Sequence, residues 1–373
     1  MRQPPVNLVF LGTKTFKANN ITFLENFIQL LQERVAVSLI IGSSVDRSLI
    51  NSSCEVYVYK KNFFFNFKGL VFGAFALKSY LKTHRKPDVL VNLSDPFPSG
   101  VLVNLFSLFY GIPSITRVTG DILGEKDRAS GVLRRAVKYV IYNLLILSLF
   151  KTTNKLVVLG QDSKNKFARR GFSQDRLVVL PQPFKADLFP QSSFRKKGAL
   201  KKLLGFKPER KLILYVGTLS YGKGADRLIE IIKRVTLQSD EYQFCIIGLG
   251  PYQENFEANS DTRIRYEGFV SRENISNYYQ ASDLFIYPTR SDSLPNVIIE
   301  AISSGLPIAA SPVAEIPYLV MNTMDSVDEF VKYILNGKFV LEQRPDWFNW
   351  VRQREMYLDL LDSVSKGKQA KIG

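Results

Sequence analysis

The feature that most restricts this chain is an alternation of buried strand and amphipathic helix that runs once from Asn7 and begins again at Lys211. Asn7 to Gly12 reads as a first strand, Phe23-Leu24-Phe27-Ile28-Leu30-Leu31 as the apolar face of a helix, and Val35 to Gly42 as a second strand. Parallel strands need a crossover, so strand and helix at this spacing predict a parallel, doubly wound sheet. The pattern continues with strands at Val56–Tyr59, 88–93, 113–118, 155–160 and 176–180, and with helices at 72–80, 96–110 and 162–171. A polar, Lys-rich link from Gln191 to Arg210 then separates the halves, and Lys211-Leu-Ile-Leu-Tyr-Val-Gly217 restarts the alternation. The expected fold class is α/β with two Rossmann-like domains, residues 1–190 and 191–345, followed by a closing segment at 346–373.

A chain of 373 residues supplies ample core for two such domains. Cys54 and Cys245 lie in unrelated contexts with no metal-ligand or redox spacing, which points to a reducing, cytoplasmic compartment. The first apolar run is broken by Asn7 and Gly12, too short for a signal peptide. Fifty Lys and Arg against 34 Asp and Glu give a formal charge of +16, so an anionic partner is expected. No nucleic-acid reader motif is present, and nucleic acid is not the partner inferred. Phe63-Phe64-Phe65-Asn-Phe67-Lys68 suits a lipid headgroup boundary. Val140–Phe150, flanked by Arg134, Arg135, Lys138 and Lys151, reads either as a helix lying on an acidic membrane or as a core helix with a solvated end. It falls well short of the roughly 20 residues that span a bilayer.

Two stretches carry chemistry. In the first, Leu284–Tyr287 reads as a strand, Pro288–Ser293 as a loop, and the next residues as a helix that Gly305 and Pro307 end. Asp292 or Ser293 can serve as N-cap and Pro295 fits the first turn. The free N–H groups of such a helix start are a natural seat for a diphosphate. Glu300 stands in the otherwise apolar Val297-Ile298-Ile299-Glu300-Ala301-Ile302, where a carboxylate is costly unless something hydrogen-bonds it. Asp292 and Glu300 could accept from the hydroxyls of a sugar or ribose, or could be an N-cap and a helix acid paired with a neighbouring base. The second stretch, Val216-Gly217-Thr218-Leu219-Ser220-Tyr221-Gly222-Lys223-Gly224, is a strand followed by a glycine-rich turn whose lysine offers a point charge to a diphosphate. No metal-ligating set accompanies either, and no metal or cofactor is expected. The single histidine, His84, between a helix and a strand, reads as a surface or helix-end residue.

Asp292-Ser-Leu-Pro-Asn296, Glu300 and Gly305-Leu-Pro-Ile-Ala-Ala-Ser311 together resemble the acid–seven residues–acid signature of retaining glycosyltransferases of family 4. The resemblance is strong over Lys211–Ser311 and architectural before it. It implies the GT-B fold, with a cleft between the two domains and a last segment, Asp346 onward, that crosses back to the first. It implies transfer of a sugar from a UDP- or GDP-sugar to a glycan or lipid-linked acceptor with retention of configuration. By the same resemblance Glu300 holds the ribose, Asp292 the transferred sugar and Val270 the base edge. Lys223 and the helix start at Ser293, Leu294, Pro295 and Asn296 hold the diphosphate, beside Gly217 and Thr218. The sequence departs from the family at several of these points. Asp292 replaces the commoner Glu, and Thr218 replaces an Arg that contacts the diphosphate. Thr119-Gly120-Asp121 stands where many members carry a histidine, which makes Asp121 the first-domain catalytic candidate, with loop structure as its rival. Those departures keep open a non-catalytic nucleotide-sugar-binding or scaffold subunit and, more remotely, a nucleotide-sugar epimerase.

Overall fold

The structure is a computed structural model and describes residues 5–12, 18–31, 34–42, 54–59, 68–93, 96–120, 147–191 and 193–369. It divides into two compact units, Met1–Phe184 with Trp350–Gly373, and Lys185–Asn349.

The first unit holds seven strands, β1 (Val6–Leu11), β2 (Val35–Gly42), β3 (Glu55–Tyr59), β4 (Val89–Asn92), β5 (Ser114–Val118), β6 (Lys155–Val158) and β7 (Leu177–Val179). They lie in the order β3-β2-β1-β4-β5-β6-β7, all parallel. Every residue of β4 and β5 is buried, as a sheet covered on both faces requires. The two-residue period of β1 sends Leu8 and Phe10 to one face and Val9 and Leu11 to the other. Helices Ala18–Leu30 and Trp350–Gln369 cover the first face through Phe23, Phe27, Tyr357 and Leu361. Lys68–Thr83 and Val101–Tyr110 cover the second through Phe72, Leu77 and Leu102. The last helix is fastened by the side chain of Gln353, which accepts from Phe184 N and donates to Phe184 O, both at 2.8 Å. Tyr357 adds a hydrogen bond to Pro181 O at 2.8 Å.

The second unit repeats the design with β8 (Lys211–Val216), β9 (Tyr242–Ile247), β10 (Ile264–Gly268), β11 (Leu284–Tyr287) and β12 (Ile308–Ala310), in the order β10-β9-β8-β11-β12 and all parallel. In each sheet the chain order reverses beside the first strand, between β1 and β4 and between β8 and β11. Open α/β sheets place ligands outside the carboxyl ends of strands at such a point.

One expectation is corrected. The stretch read as a polar link contains the helix Phe194–Leu203. Its lysines hide an inward face: Leu200 is buried, and the buried Lys201 donates to Asp283 at 2.6 Å and to Arg210 O at 2.8 Å. At the start of the second compact unit, Lys185–Asn349, Phe189 packs edge-on against Tyr279 and Ser303 Oγ donates to the carbonyls of Ala186 and Phe189. Of the Val140–Phe150 run only Leu147–Phe150 lies within the described residues, where Leu147 and Phe150 are buried with Leu156 and Phe167 in an ordinary core. Phe63–Phe67 and Asp121 lie outside the described residues. Among the described residues no helix is long and apolar enough to cross a membrane. His84 stacks on Tyr80 at 4.3 Å and lies 3.5 Å from Glu55 at the end of its helix.

Candidate functional site

The loops that leave β8 and β11 are clasped to one another. Gly222 O accepts from Arg290 N at 3.0 Å, Ser291 N at 3.1 Å and Thr289 Oγ1 at 3.2 Å. Arg290 grips Asp226 through both terminal nitrogens, at 2.6 and 2.7 Å, and also donates to Tyr221 O at 2.9 Å. Its guanidinium lies 4.0 Å over the Tyr221 ring. The hydrogen bond from Arg290 holds the Asp226 carboxyl below the usual carboxylate range. The turn Tyr221–Lys223 and the start of the helix Ala225–Gln238 are thereby pinned beside the second loop.

Within this clasp Lys223 Nζ meets Asp292 Oδ2 at 2.5 Å and Ser291 O at 3.0 Å. Asp292 has two further partners. Tyr287 donates to Oδ2 at 2.6 Å, and Ser293 N donates to Oδ1 at 2.9 Å. Beneath them Tyr215 stacks on Tyr287 with ring centres 6.2 Å apart, and its hydroxyl donates to Thr218 O at 3.2 Å. Burial, with the charge of Asp292 behind it, pushes both phenols above their ordinary range, so they remain donors at any physiological pH. The Asp292 carboxylate is therefore occupied by the protein and fixes the lysine head. Removing the Tyr287 hydroxyl (Tyr287→Phe) leaves the ring packing intact and takes one donor from a carboxylate. We expect a loss of about 1.5–3 kcal/mol in the unfolding of the second unit, measured by urea denaturation.

Glu300 sits on the helix Asn296–Ser303 and is partly exposed. Its Oε2 accepts from Tyr279 at 2.8 Å, while Oε1 takes no hydrogen bond among the described residues. Burial raises its pKa above the ordinary 4.5, against the pull of the Tyr279 hydroxyl and the more distant charge of Arg272. The helix starts one residue after Pro295, which is its extended N-cap. The expected cap from Asp292 or Ser293 is absent, because the Asp292 carboxylate turns to Lys223 and Tyr287. The N–H groups of Asn296 and Val297 find no acceptor among the described residues. Leu294 is half-buried, Pro295 buried and Asn296 exposed. Ser293 O accepts from the N–H of the buried Glu315 at 3.2 Å, one residue after Ala314, whose φ of 49° is a strained value for a residue with a side chain.

The structure thus brings Lys223 and Asp292 into contact and places Gly217 and Thr218 at the head of the same loop, with Thr218 exposed. Val270 follows β10 and is half-buried next to the exposed Phe269. Among the described residues no cluster of three or more His, Cys, Asp or Glu is arranged to hold a metal ion. Sequence reading missed Tyr287 and Tyr279, the donors to Asp292 and Glu300. A signal was present, since a tyrosine in a buried strand or helix needs a partner for its hydroxyl.

The comparisons with known proteins agree with this architecture. HepE of Anabaena, crystallised with UDP, superposes with a TM-score of 0.67 over 98% of each chain at 15% identity. The chain has a GT-B fold. Within that fold, residues 210–336 match the family model described as "Glycosyl transferases group 1". The sulfoquinovosyl transferase SQD2 of Arabidopsis thaliana is 29% identical over 139 residues, which are 37% of this chain and 26% of that protein. The UDP-Gal:alpha-D-GlcNAc-diphosphoundecaprenol alpha-1,3-galactosyltransferase of Escherichia coli is 25% identical over 251 residues, 64% of this chain and 63% of that one. The chain therefore spans less than two-thirds of the length of these curated relatives.

Proposed function

We propose that this GT-B protein is a glycosyltransferase that moves a hexosyl unit from a UDP- or GDP-sugar to a glycan or lipid-linked acceptor, with retention at the anomeric carbon. The observation that carries the reading is Glu300: a desolvated carboxylate with one oxygen tethered by Tyr279 and the other open. Such a group is suited to receive two hydroxyl hydrogens of a ribose. Around it, Lys223 and the N–H groups of Asn296 and Val297 would face the diphosphate, and Val270 the base. The SQD2 and galactosyltransferase similarities support sugar transfer, and the UDP in HepE supports a uridine donor. Lysine and backbone N–H groups can neutralise a leaving diphosphate without a metal ion. Asp121 is proposed as the first-unit residue nearest the chemistry. Contact with an acidic membrane surface on its cytoplasmic side belongs to the same reading, supported by the +16 charge.

Glu300→Gln is expected to weaken donor affinity about 10-fold or more, because a charged acceptor is lost from a desolvated site. Thermal stabilisation by a panel of nucleotide sugars reads this out and names the donor at the same time. The exchange also has a pH signature. In the folded protein Glu300 keeps its proton to higher pH than in the unfolded chain. Its contribution to stability is full below the ordinary value of 4.5 and is lost as pH rises through the raised one. Wild type should lose stability relative to Glu300→Gln as pH rises through that window and run parallel to it above. A difference that does not change with pH would mean the carboxylate is not desolvated.

A second reading, a donor-binding subunit without transferase activity, is favoured by one observation. Both cationic side chains of the clasped loops are engaged, Lys223 by Asp292 and Arg290 by Asp226. Transfer or donor hydrolysis by the purified protein decides between them.

A further inference from the structure

Tyr279, buried on the helix Arg272–Ala281, owns the hydroxyl that tethers Glu300. The direction of that hydroxyl is set by the ring that carries it. Phe189 meets the ring edge-on with centres 5.7 Å apart, and Phe285 of β11 lies against it at 5.8 Å. A tyrosine ring wedged between two other rings has one place for its oxygen. Phe189, itself buried, ends a short strap formed by the turn Ala186–Leu188 and the residue after it. Ser303 Oγ fastens that strap, donating to Ala186 O at 3.0 Å and to Phe189 O at 3.1 Å. Ser303 is the last residue of the helix Asn296–Ser303, about one turn beyond Glu300. The contacts therefore close a loop: strap to Tyr279 through Phe189, Tyr279 to Glu300, Glu300 along the helix to Ser303, and Ser303 back to the strap. All of these residues belong to the unit Lys185–Asn349.

A glutamate side chain left to itself spreads over several rotamers, and its two oxygens exchange by rotation about the last bond. A donor whose position is fixed by packing selects one of those arrangements. Here it is the one in which Oε2 is bound at 2.8 Å and Oε1 takes no hydrogen bond among the described residues. A hydrogen bond weakens steeply as it bends, so the selection lasts only while the Tyr279 ring is kept from turning.

We propose that Phe189 is a positioning residue for Glu300, acting through Tyr279 to keep the carboxylate in the orientation that leaves Oε1 to a ligand. Phe189 touches no ligand in this arrangement. That the ligand is the ribose of a nucleotide sugar rests on the transferase reading; the hold on the carboxylate does not.

Two measurements on the full chain test this. The first needs no donor. The titratable and charged groups that act on Glu300 are Tyr279 and, farther off, Arg272, both on the helix Arg272–Ala281, while Tyr287 of β11 acts on Tyr279. The Tyr279 hydroxyl draws the Glu300 pKa down against burial, so its loss lets Glu300 keep its proton to still higher pH. The pH range over which the melting temperatures of wild type and Glu300→Gln change relative to one another should therefore extend upward in a Tyr279→Phe background. Phe189→Leu should extend it in the same direction, and adding Phe189→Leu to Tyr279→Phe should extend it no further. The second measurement is the dissociation constant of the nucleotide sugar found by thermal screening, taken well below the melting range. Tyr279→Phe should weaken it about tenfold, Phe189→Leu should weaken it too, and the double variant should match Tyr279→Phe, because Phe189 then has no hydroxyl to aim. A residue that served packing only would lower the melting temperature in every background and leave the pH range and the affinity unmoved. An unmoved pH range in Phe189→Leu would overturn the proposal, as would a further extension when it is added to Tyr279→Phe. A donor affinity unchanged by Phe189→Leu but weakened by Tyr279→Phe would also overturn it. A shifted pH range in a protein that binds no nucleotide sugar would sink the donor reading and leave the positioning standing. Ser303→Ala keeps every ring and cuts only the tie between strap and helix; it replaces Phe189→Leu if that variant does not fold, and should move the pH range the same way.

Discussion

Replacing Lys223 by alanine is expected to lower kcat for sugar transfer by about 10²–10³-fold while leaving the KM for the donor within about tenfold of wild type. The departing nucleoside diphosphate gains negative charge as the glycosidic bond breaks, and a preorganised cation is worth most at that stage. Lys223 is preorganised: Asp292 at 2.5 Å and Ser291 O at 3.0 Å hold its head before any donor arrives. Nothing in the two loops is ready to replace it. Thr218 carries no charge, and Arg290 is committed to Asp226 by two short hydrogen bonds. The fold should tolerate the loss, since Asp292 retains Tyr287 and Ser293 N as donors. Steady-state kinetics on the donor found by thermal screening provide the check. A kcat unchanged by Lys223→Ala would mean that the leaving diphosphate sits elsewhere.

The architecture was legible because it rests on local rules. Short apolar strands of three to eight residues, spaced by helices, leave a parallel doubly wound sheet as the economical solution, and both units adopt it. What the pattern hid was hidden for identifiable reasons. The helix Phe194–Leu203 carries so many lysines that its single inward row, Leu200 and Lys201, does not register as a period. Lys201 is buried only because Asp283, far along the chain, awaits it. At the site, Lys223, Asp292 and Glu300 stood out as charges in unusual company. Tyr279 and Tyr287 did not, because an aromatic ring inside an apolar run looks like core, and its hydroxyl partner is fixed only by the tertiary fold. Arg117 gives no sequence signal of burial, since it is a charged residue near the end of a strand. Its burial against Phe23 depends on a helix more than ninety residues earlier in the chain.

Gly224→Ala should destabilise the second unit by about 2–5 kcal/mol and pull the two site loops apart. Two independent costs contribute. Gly224 has φ of 74°, in the left-handed region that a side chain disfavours. A Cβ there would also fall 1.9 Å from Pro288 O and 2.7 Å from Pro288 C, and these are backbone atoms that no rotamer change can move aside. Pro288 begins the loop that carries Asp292, so relief can come only from shifting that loop away from the turn that carries Lys223. The Lys223–Asp292 contact should therefore weaken together with stability, although neither residue is altered. Gly222→Ala provides the control. A Cβ at position 222 meets nothing within 4 Å, and its φ lies outside the disfavoured range. That variant should stay within about 0.5 kcal/mol of wild type. Chemical denaturation of both variants separates the two accounts: equal losses at 222 and 224 would reflect general intolerance of the loop to alanine, whereas a loss confined to 224 is what backbone contact with Pro288 requires.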